Sequence, residues 1–201
     1  PAHGGADVGG REVTPYLNSL RSEGLSFSTV IDQTAQGKTS DGEYLALNSQ
    51  HPLPRGATSF LRADNHFLTL AHALAYQGYT TSSAHPYRRG FWNRAVLHPR
   101  YGFASSVFKR ELGEGQFVGW GLADGLFFER MLPRLEAAAQ PWFAFWVTLS
   151  LHHPYDEFPD NLVGDLELGE LEGTRLGNYI QGMNYFDRSL QQLVKDLDER
   201  G

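Results

Sequence analysis

Apolar and polar positions recur with two different periods along this chain, and the changes of period mark its elements. Leu17 and Leu20 lie between Thr14-Pro15 and Gly24, which predicts a short amphipathic helix with Thr14 as N-cap, Pro15 at its first position and a glycine stop. Leu25 to Ile31 predicts a strand. After a turn at Gln36-Gly37-Lys38, Thr39 or Ser40 caps a helix carrying Tyr44, Leu45 and Leu47. Phe67, Leu68, Leu70, Ala71 and Leu74 predict a helix over 66–76 closed by Gly78, and 79–83 reads as a strand. A helix over 122–139 would bury Leu126, Phe127, Met131 and Leu135. The nearly unbroken apolar run from Trp142 to Ser150 has the pattern of a central strand covered on both faces. The longest helix, 178–199, sets Ile180, Met183, Phe186, Leu190, Leu193 and Leu197 on one stripe. Residues 86–121, rich in Gly, Arg and aromatics, read as a long, partly ordered loop, and loops of that length are usually functional. Alternating strands and helices predict an α/β domain with a mainly parallel sheet.

Composition narrows this picture. Of 201 residues 41% are hydrophobic, enough for a core, so disorder is excluded as the main state. The chain opens in a Gly-rich loop and stops at Gly201, the expected C-cap of a helix with no strand after it. Both ends therefore read as cuts through βα units, and 1–201 is expected to be one partial domain. No apolar run reaches the roughly 18–20 residues that span a bilayer, and Pro1 to Gly5 do not open a secretory signal. The absence of cysteine excludes disulfide scaffolds, Cys-ligated zinc and thiol catalysis, and leaves the compartment open.

The net charge of −6 hides an asymmetry. From Asn65 to Arg110 there is no Asp or Glu, while Arg88, Arg89, Arg94, Arg100, Lys109 and Arg110 give that segment a balance of +6. Such a segment suits an anion such as a phosphate or sulfate group. An acidic whole with no nucleic-acid-binding motif argues against DNA or RNA.

The stretch most informative about chemistry is Gln33 to Tyr44, where a hydroxyl residue follows a tight turn at the start of a helix. Unpaired N–H groups and the positive end of the helix dipole would hold a phosphoryl group there, and would stabilise an ionised Thr39 oxygen. Gly37-Lys38-Thr39 is not a P-loop, because the first glycine of that motif would fall on Asp32. An ordinary N-cap is the alternative role for Thr39. Arg94 offers a planar fork to two phosphate oxygens. His152, at the end of the apolar run, stands where open α/β sheets place their sites and could bind phosphate or protonate a leaving oxygen. His153 is expected to point away from it, as neighbours at a strand end do.

Gly10 to Asn18, Gln33 to Tyr44, Ser83-Ala84-His85, Phe91-Trp92-Asn93-Arg94, Gly119 to Leu122, Thr148 to Tyr155 and the helix from Asn178 to Leu190 together make the chain resemble the lipoteichoic acid synthase family. These are phosphoglycerol transferases of the alkaline phosphatase and sulfatase superfamily. The resemblance runs nearly end to end, and Gly-Lys-Thr-Ser-Asp is its most specific block. It implies a three-layer sandwich with a mainly parallel sheet, cut short at both ends. It also implies that Thr39 is the nucleophile and a ligand of a divalent metal, Mn2+ or Mg2+. Trp92 and Arg94 would contact the glycerol phosphate, with His152 in the pocket and His85 near it. Tyr87 stands where some relatives carry an acid. The family's other metal ligands are a Glu after the first strand and an Asp-His pair beyond the long helix. Only Thr39 of that set falls in this chain, so these residues alone are expected to be inactive.

The implied reaction moves glycerol phosphate from phosphatidylglycerol through a threonine-linked intermediate to a hydroxyl acceptor, a glycerophosphate polymer or a periplasmic glucan. The implied location is the outer face of the cytoplasmic membrane, held by segments upstream. A sulfatase would need Cys or Ser in C/S-x-P-x-R, which is absent. Phosphoethanolamine transfer and a non-catalytic phosphate-binding role are the remaining alternatives.

Overall fold

The computed structural model describes residues 6–200. The Gly-rich start and the expected C-cap at Gly201 lie outside them. The elements run β1 (Asp7–Val8), β2 (Arg11–Glu12), α1 (Pro15–Leu20), α2 (Thr39–Asn48), α3 (Thr58–Leu61), α4 (Leu70–Tyr76), β3 (Thr80–Ala84), α5 (Arg94–Arg100), β4 (Ser105–Val107), α6 (Lys109–Leu112), β5 (Phe117–Val118), β6 (Gly121–Leu122), α7 (Asp124–Glu136), β7 (Trp142–Trp146) and α8 (Arg175–Arg200). Among the described residues no helix is long and apolar enough to cross a membrane. The chain forms two compact units, one from the residues up to Ser28 with Glu114–Leu132 and Thr148 onward, the other from Thr29–Gly113 and Pro133–Val147.

The second unit holds a parallel three-stranded sheet in the order β4-β3-β7. The strand predicted at 79–83 is its centre, paired from Ser82↔Ser105 on one side and from Thr80↔Trp142 on the other. Phe143 and Phe145, two residues apart and so on one face, meet the core formed by Tyr44, Leu47, Ala71, Leu97, Tyr101 and Phe103. The strand in the apolar run is thus shorter than expected and, among the described residues, not central. It ends at Trp146, borders the sheet, and is half-buried along its whole length. A continuous apolar run has no period to say how many faces are covered, which is why the sequence pattern misleads here.

Two other expectations also change. Residues 86–121 are not a loop but include α5, β4, α6 and β5, because Leu97, Tyr101, Phe103 and Phe108 are buried by tertiary packing. Residues 29–31, the end of the strand expected over 25–31, form no ladder; Val30 is 83% exposed. Alternation makes a strand only when a neighbour supplies the hydrogen bonds.

In the first unit, β1 and β2 form a hairpin through Gly9 and Gly10, both at positive φ (61° and 77°). That is the two-residue turn for which paired glycines are suited. Thr14 stands at the N-cap of α1 as expected, but its side chain makes no capping bond. Asp187 of α8 does so instead, its Oδ2 and Oδ1 accepting from Tyr16 N and Leu17 N at 2.9 and 2.7 Å. Its carboxylate is buried, lies against the positive end of α1 and replaces a local cap. Asp187→Ala is therefore expected to destabilise this unit by about 1–3 kcal/mol, because two helix N–H groups lose their acceptor. A shift of the denaturant midpoint by that amount checks it.

The face of α8 that is fully buried also differs from the predicted apolar stripe. It carries Gln181, Asn184, Tyr185, Asp187 and Ser189 together with Leu193 of the predicted stripe, while Ile180, Met183, Phe186 and Leu190 are half-buried. The helix is held largely by polar partners, such as Asn184 Nδ2 donating to Val13 O at 3.0 Å and Tyr185 Oη accepting from Gly125 N at 2.9 Å.

Candidate active site

Thr39 is the first residue of α2 and is exposed. The turn before it is built around Asp41, which folds back from the first helical turn. Its Oδ2 accepts from Ala35 N and Gly37 N, both at 2.9 Å. A Cβ on Gly37 would collide with that carboxylate. Ser40 Oγ donates to Gly37 O at 2.8 Å and closes the turn from the other side. Lys38 between them has φ 48° and ψ −118°, a left-handed conformation costing a side-chain-bearing residue about 1–3 kcal/mol. Two of the four side chains from Lys38 to Asp41, those of Ser40 and Asp41, are thus spent on shape, and Thr39 stands exposed at the helix N-terminus. The N-cap itself is Lys38, with no side-chain capping bond, so the plain capping role for Thr39 is not the one seen.

Two consecutive strained residues mark a second turn. Trp92 (φ 54°) and Asn93 (φ 58°) are both left-handed, which is unusual for non-glycine residues and exceptional for a bulky one. Ser59 of α3 joins this turn to the first. Its Oγ lies 3.1 Å from Ser40 Oγ, and its carbonyl accepts from Asn93 Nδ2 at 2.8 Å. Two motifs about fifty residues apart in sequence are thereby fixed side by side. Trp92 is half-buried, with Phe60 and Phe91 at ring-centroid distances of 6.1 and 5.8 Å.

Arg94 does not present an open fork. It is 1% exposed, and its Nε and Nη2 donate to Glu43 of α2 at 3.1 and 2.6 Å, while Nη1 reaches Phe91 O at 3.4 Å. The expectation of a free guanidinium fails because its acid comes from 51 positions away, outside any local reading. Glu43 takes a further bond from His98 Nε2 at 3.1 Å. Burial alone would push its carboxyl up. The His98 bond and the Arg94 charge outweigh burial and hold it down to about 2. An ionised carboxylate only accepts, so His98 Nε2 carries the proton. His98 Nδ1 meets Ser83 Oγ at 2.8 Å, and Ser83 meets Ser106 Oγ at 2.8 Å. A buried polar chain therefore runs from α5 and α2 through β3 to β4.

His85, at the end of β3, is also buried. Its Nδ1–H donates to Val147 O at 2.8 Å, leaving the Nε2 lone pair buried without a protein partner. Burial and the nearby Arg94 charge push it down to about 3, so the ring is neutral in ordinary buffers. It stacks on Phe91 at 6.4 Å.

The first unit holds His152. It lies in a turn beyond the end of β7, and its Nδ1–H donates to His153 O at 2.8 Å. The two histidine rings do not diverge: they lie 4.4 Å apart, with Trp120 4.1 Å from His152. A turn replaces the strand geometry that would have separated them. His152 and Trp120 line a cavity of about 200 Å³ with Ser150, Tyr155, Asp156 and Asn178. The turn is anchored by Asp124, whose carboxylate accepts from Leu149 N at 2.9 Å and Ser150 N at 3.2 Å, while Ser150 Oγ accepts from Asp124 N at 2.9 Å.

Burial pushes the Asp124 carboxyl up to about 6 from an ordinary 3.8, against those N–H donors. The unfolded chain releases this proton first as pH rises. Folding stability in this unit is therefore expected to fall by about 3 kcal/mol between pH ~4 and ~6. Denaturant midpoints across that window check this, and Asp124→Asn should flatten the slope.

The sequence pattern of the sulfatase family matches residues 2–201. The chain belongs to the sulfatase family. It is 33% identical over 199 residues to lipoteichoic acid synthase 2 of Bacillus subtilis (strain 168), covering 96% of this chain and 30% of that protein. The lipoteichoic acid synthase LtaP from Listeria monocytogenes shares its fold, with TM-score 0.89, 23% identity, and coverage of 96% of this chain and 48% of that one. The Streptococcus pyogenes phosphoglycerol transferase GacH, solved in complex with sn-glycerol-1-phosphate, matches with TM-score 0.67 and 17% identity over 94% of this chain and 52% of that one. The chain thus spans about a third of its curated relative's length.

Within this sulfatase-family chain the structure brings Thr39, Trp92, Arg94 and His85 into one unit and leaves His152 in the other. The described residues do not by themselves fit a divalent ion. Thr39 supplies one oxygen, and no group of three or more His, Asp or Glu among them is placed to hold a metal. Sequence reasoning missed Glu43, Ser59, His98 and Asp124. Glu43 alone carried a signal, as an acid one helical turn after Thr39.

Proposed function

We propose that this chain carries the nucleophile and part of the headgroup site of a phosphoglycerol transferase. Thr39 Oγ attacks the phosphorus of phosphatidylglycerol, and the bond to the diacylglycerol oxygen breaks, that oxygen leaving with a proton. A hydroxyl of a glycerophosphate polymer or a periplasmic glucan then attacks the same phosphorus and releases Thr39. Trp92 is the headgroup residue of this unit in this reading, and the buried His85 stacks on Phe91, its neighbour in the turn. Arg94, committed to Glu43, acts by holding the turn that carries Trp92. A divalent ion of the manganese or magnesium type belongs to the reading, with Thr39 supplying one ligand. The site works at the outer face of the cytoplasmic membrane.

One observation carries the proposal. Thr39 stands exposed on a strained helix start that Ser59 ties to an equally strained tryptophan turn. The relatives' names supply the substrate class. Incubating the whole protein with phosphatidylglycerol in the absence of acceptor tests it. Mass spectrometry should find a glycerophosphoryl increment on the peptide containing Thr39, with release of diacylglycerol. Headgroup binding with neither product would favour the non-catalytic alternative, and an increment on another residue would overturn Thr39.

A further inference from the structure

The second unit carries an apolar patch beside Thr39 that the transfer chemistry does not use. Phe60 and Leu61, at the end of α3, are 55% and 56% exposed. Large apolar side chains on so short a helix would normally turn inward. Here Ser59 faces the interior, engaged with Ser40 and Asn93, and so turns the next two residues out. Phe60 does not stand alone. Its ring adjoins Trp92, which adjoins Phe91, which adjoins Tyr87 at 5.3 Å. The Arg88 guanidinium lies 5.7 Å from the centre of the Tyr87 ring.

The charge around this ridge is mostly basic, with Asp64 and Glu111 the exposed acids near it. Arg62, Arg88 and Arg89 are exposed, and none of them joins an ion pair among the described residues. The acids have partners of their own: Glu43 holds Arg94 and His98, Asp41 the Thr39 turn, Asp64 lies 3.5 Å from Arg100, and Glu111 Oε2 accepts from Phe108 N at 3.1 Å. Exposed Phe and Leu flanked by arginines and a tryptophan form the composition of a surface that lies in the headgroup layer of an anionic bilayer. A soluble anionic polymer would explain the arginines but not the exposed Phe60 and Leu61.

The geometry points to this ridge as the face that docks on an anionic lipid surface, with Phe60 and Leu61 entering the acyl boundary and Arg62, Arg88 and Arg89 on the lipid phosphates. Docking in this pose would set Thr39 at headgroup depth. The inference rests on the phosphoglycerol reading for its purpose only, since insertion is read without turnover.

Residues 1–201 contain no cysteine, so with any cysteines elsewhere in the whole protein changed to serine, Phe60→Cys gives one labelling position for an environment-sensitive dye. With the whole protein reconstituted into vesicles, the dye is expected to be shifted to the blue in phosphatidylglycerol and to stay unshifted in phosphatidylcholine. Arg88→Gln with Arg89→Gln should lower the docking equilibrium about thirtyfold, and added salt should lower it too. An equal shift with both lipids, or none with either, overturns the proposal. So does a dye already shifted without vesicles, which would mean that another part of the protein covers the ridge. Threonine-linked product formed without insertion sinks the docking face alone, and insertion without product sinks the transferase reading alone.

Discussion

Thr39→Ala is expected to lower glycerophosphate transfer by about 10⁴-fold or more, the scale on which enzymes lose rate when a covalent nucleophile is removed. Folding should barely register the change. Thr39 is exposed and caps nothing, and the bonds that shape its turn come from Ser40 and Asp41, so stability should move by no more than about 0.5 kcal/mol. Thr39→Ser keeps the oxygen and should retain measurable turnover. Initial rates with headgroup-labelled phosphatidylglycerol, beside denaturant midpoints of the same preparations, separate these effects. Near-normal rates in a folded Thr39→Ala protein would end the nucleophile assignment.

Glu43→Ala has the largest expected effect on folding, a loss of about 3–5 kcal/mol. It leaves the Arg94 guanidinium charged, nearly sealed from water and without its two bonds, and it strips His98 Nε2 of its acceptor. Replacing both partners, Glu43→Met with Arg94→Met, should cost much less, because no orphaned charge remains. The pH dependence carries a definite sign. The Glu43 carboxyl sits near 2 in the folded protein against an ordinary 4.5. Its contribution is therefore complete above pH ~4.5 and is lost as pH falls toward ~2, a change of about 3 kcal/mol. The gap between the wild-type protein and Glu43→Gln should close over that window. A gap constant with pH would contradict the assignment of Glu43 as the ionised partner.

The comparison of pattern and structure divides along the line between local and distant causes. The helix opening at Thr39, the strand at Thr80–Ala84 and the long C-terminal helix are legible because caps, β-branched runs and apolar spacing act within a few residues. The blocks around Thr39 and Trp92 stand out in the sequence, and the structure places them side by side through Ser59. The partner of Arg94 was not legible, because α2 and α5 meet only through tertiary packing. The capping of α1 by Asp187 was equally out of reach: the Thr14-Pro15 signal was correct about where the helix starts and silent about what satisfies it. Val30 and Trp142 to Ser150 show the converse. Their patterns describe what a strand would look like, and neighbours decide whether and where one forms.

The buried chain from Glu43 through His98 to the two serines has a bearing on how the sheet is assembled. Ser83 and Ser106 are aligned partners in the β3–β4 ladder, and Ser83 also meets His98. Sliding β3 by one residue would carry Ser83 to the opposite face of the sheet, take the partner from half-buried Ser106 and strand the buried His98, at about 1–3 kcal/mol for the buried group. An all-apolar interface between these short strands would forgive that slip. Two hydroxyls and an imidazole make the alignment self-checking, and they favour a single frame for the strand that leads into His85.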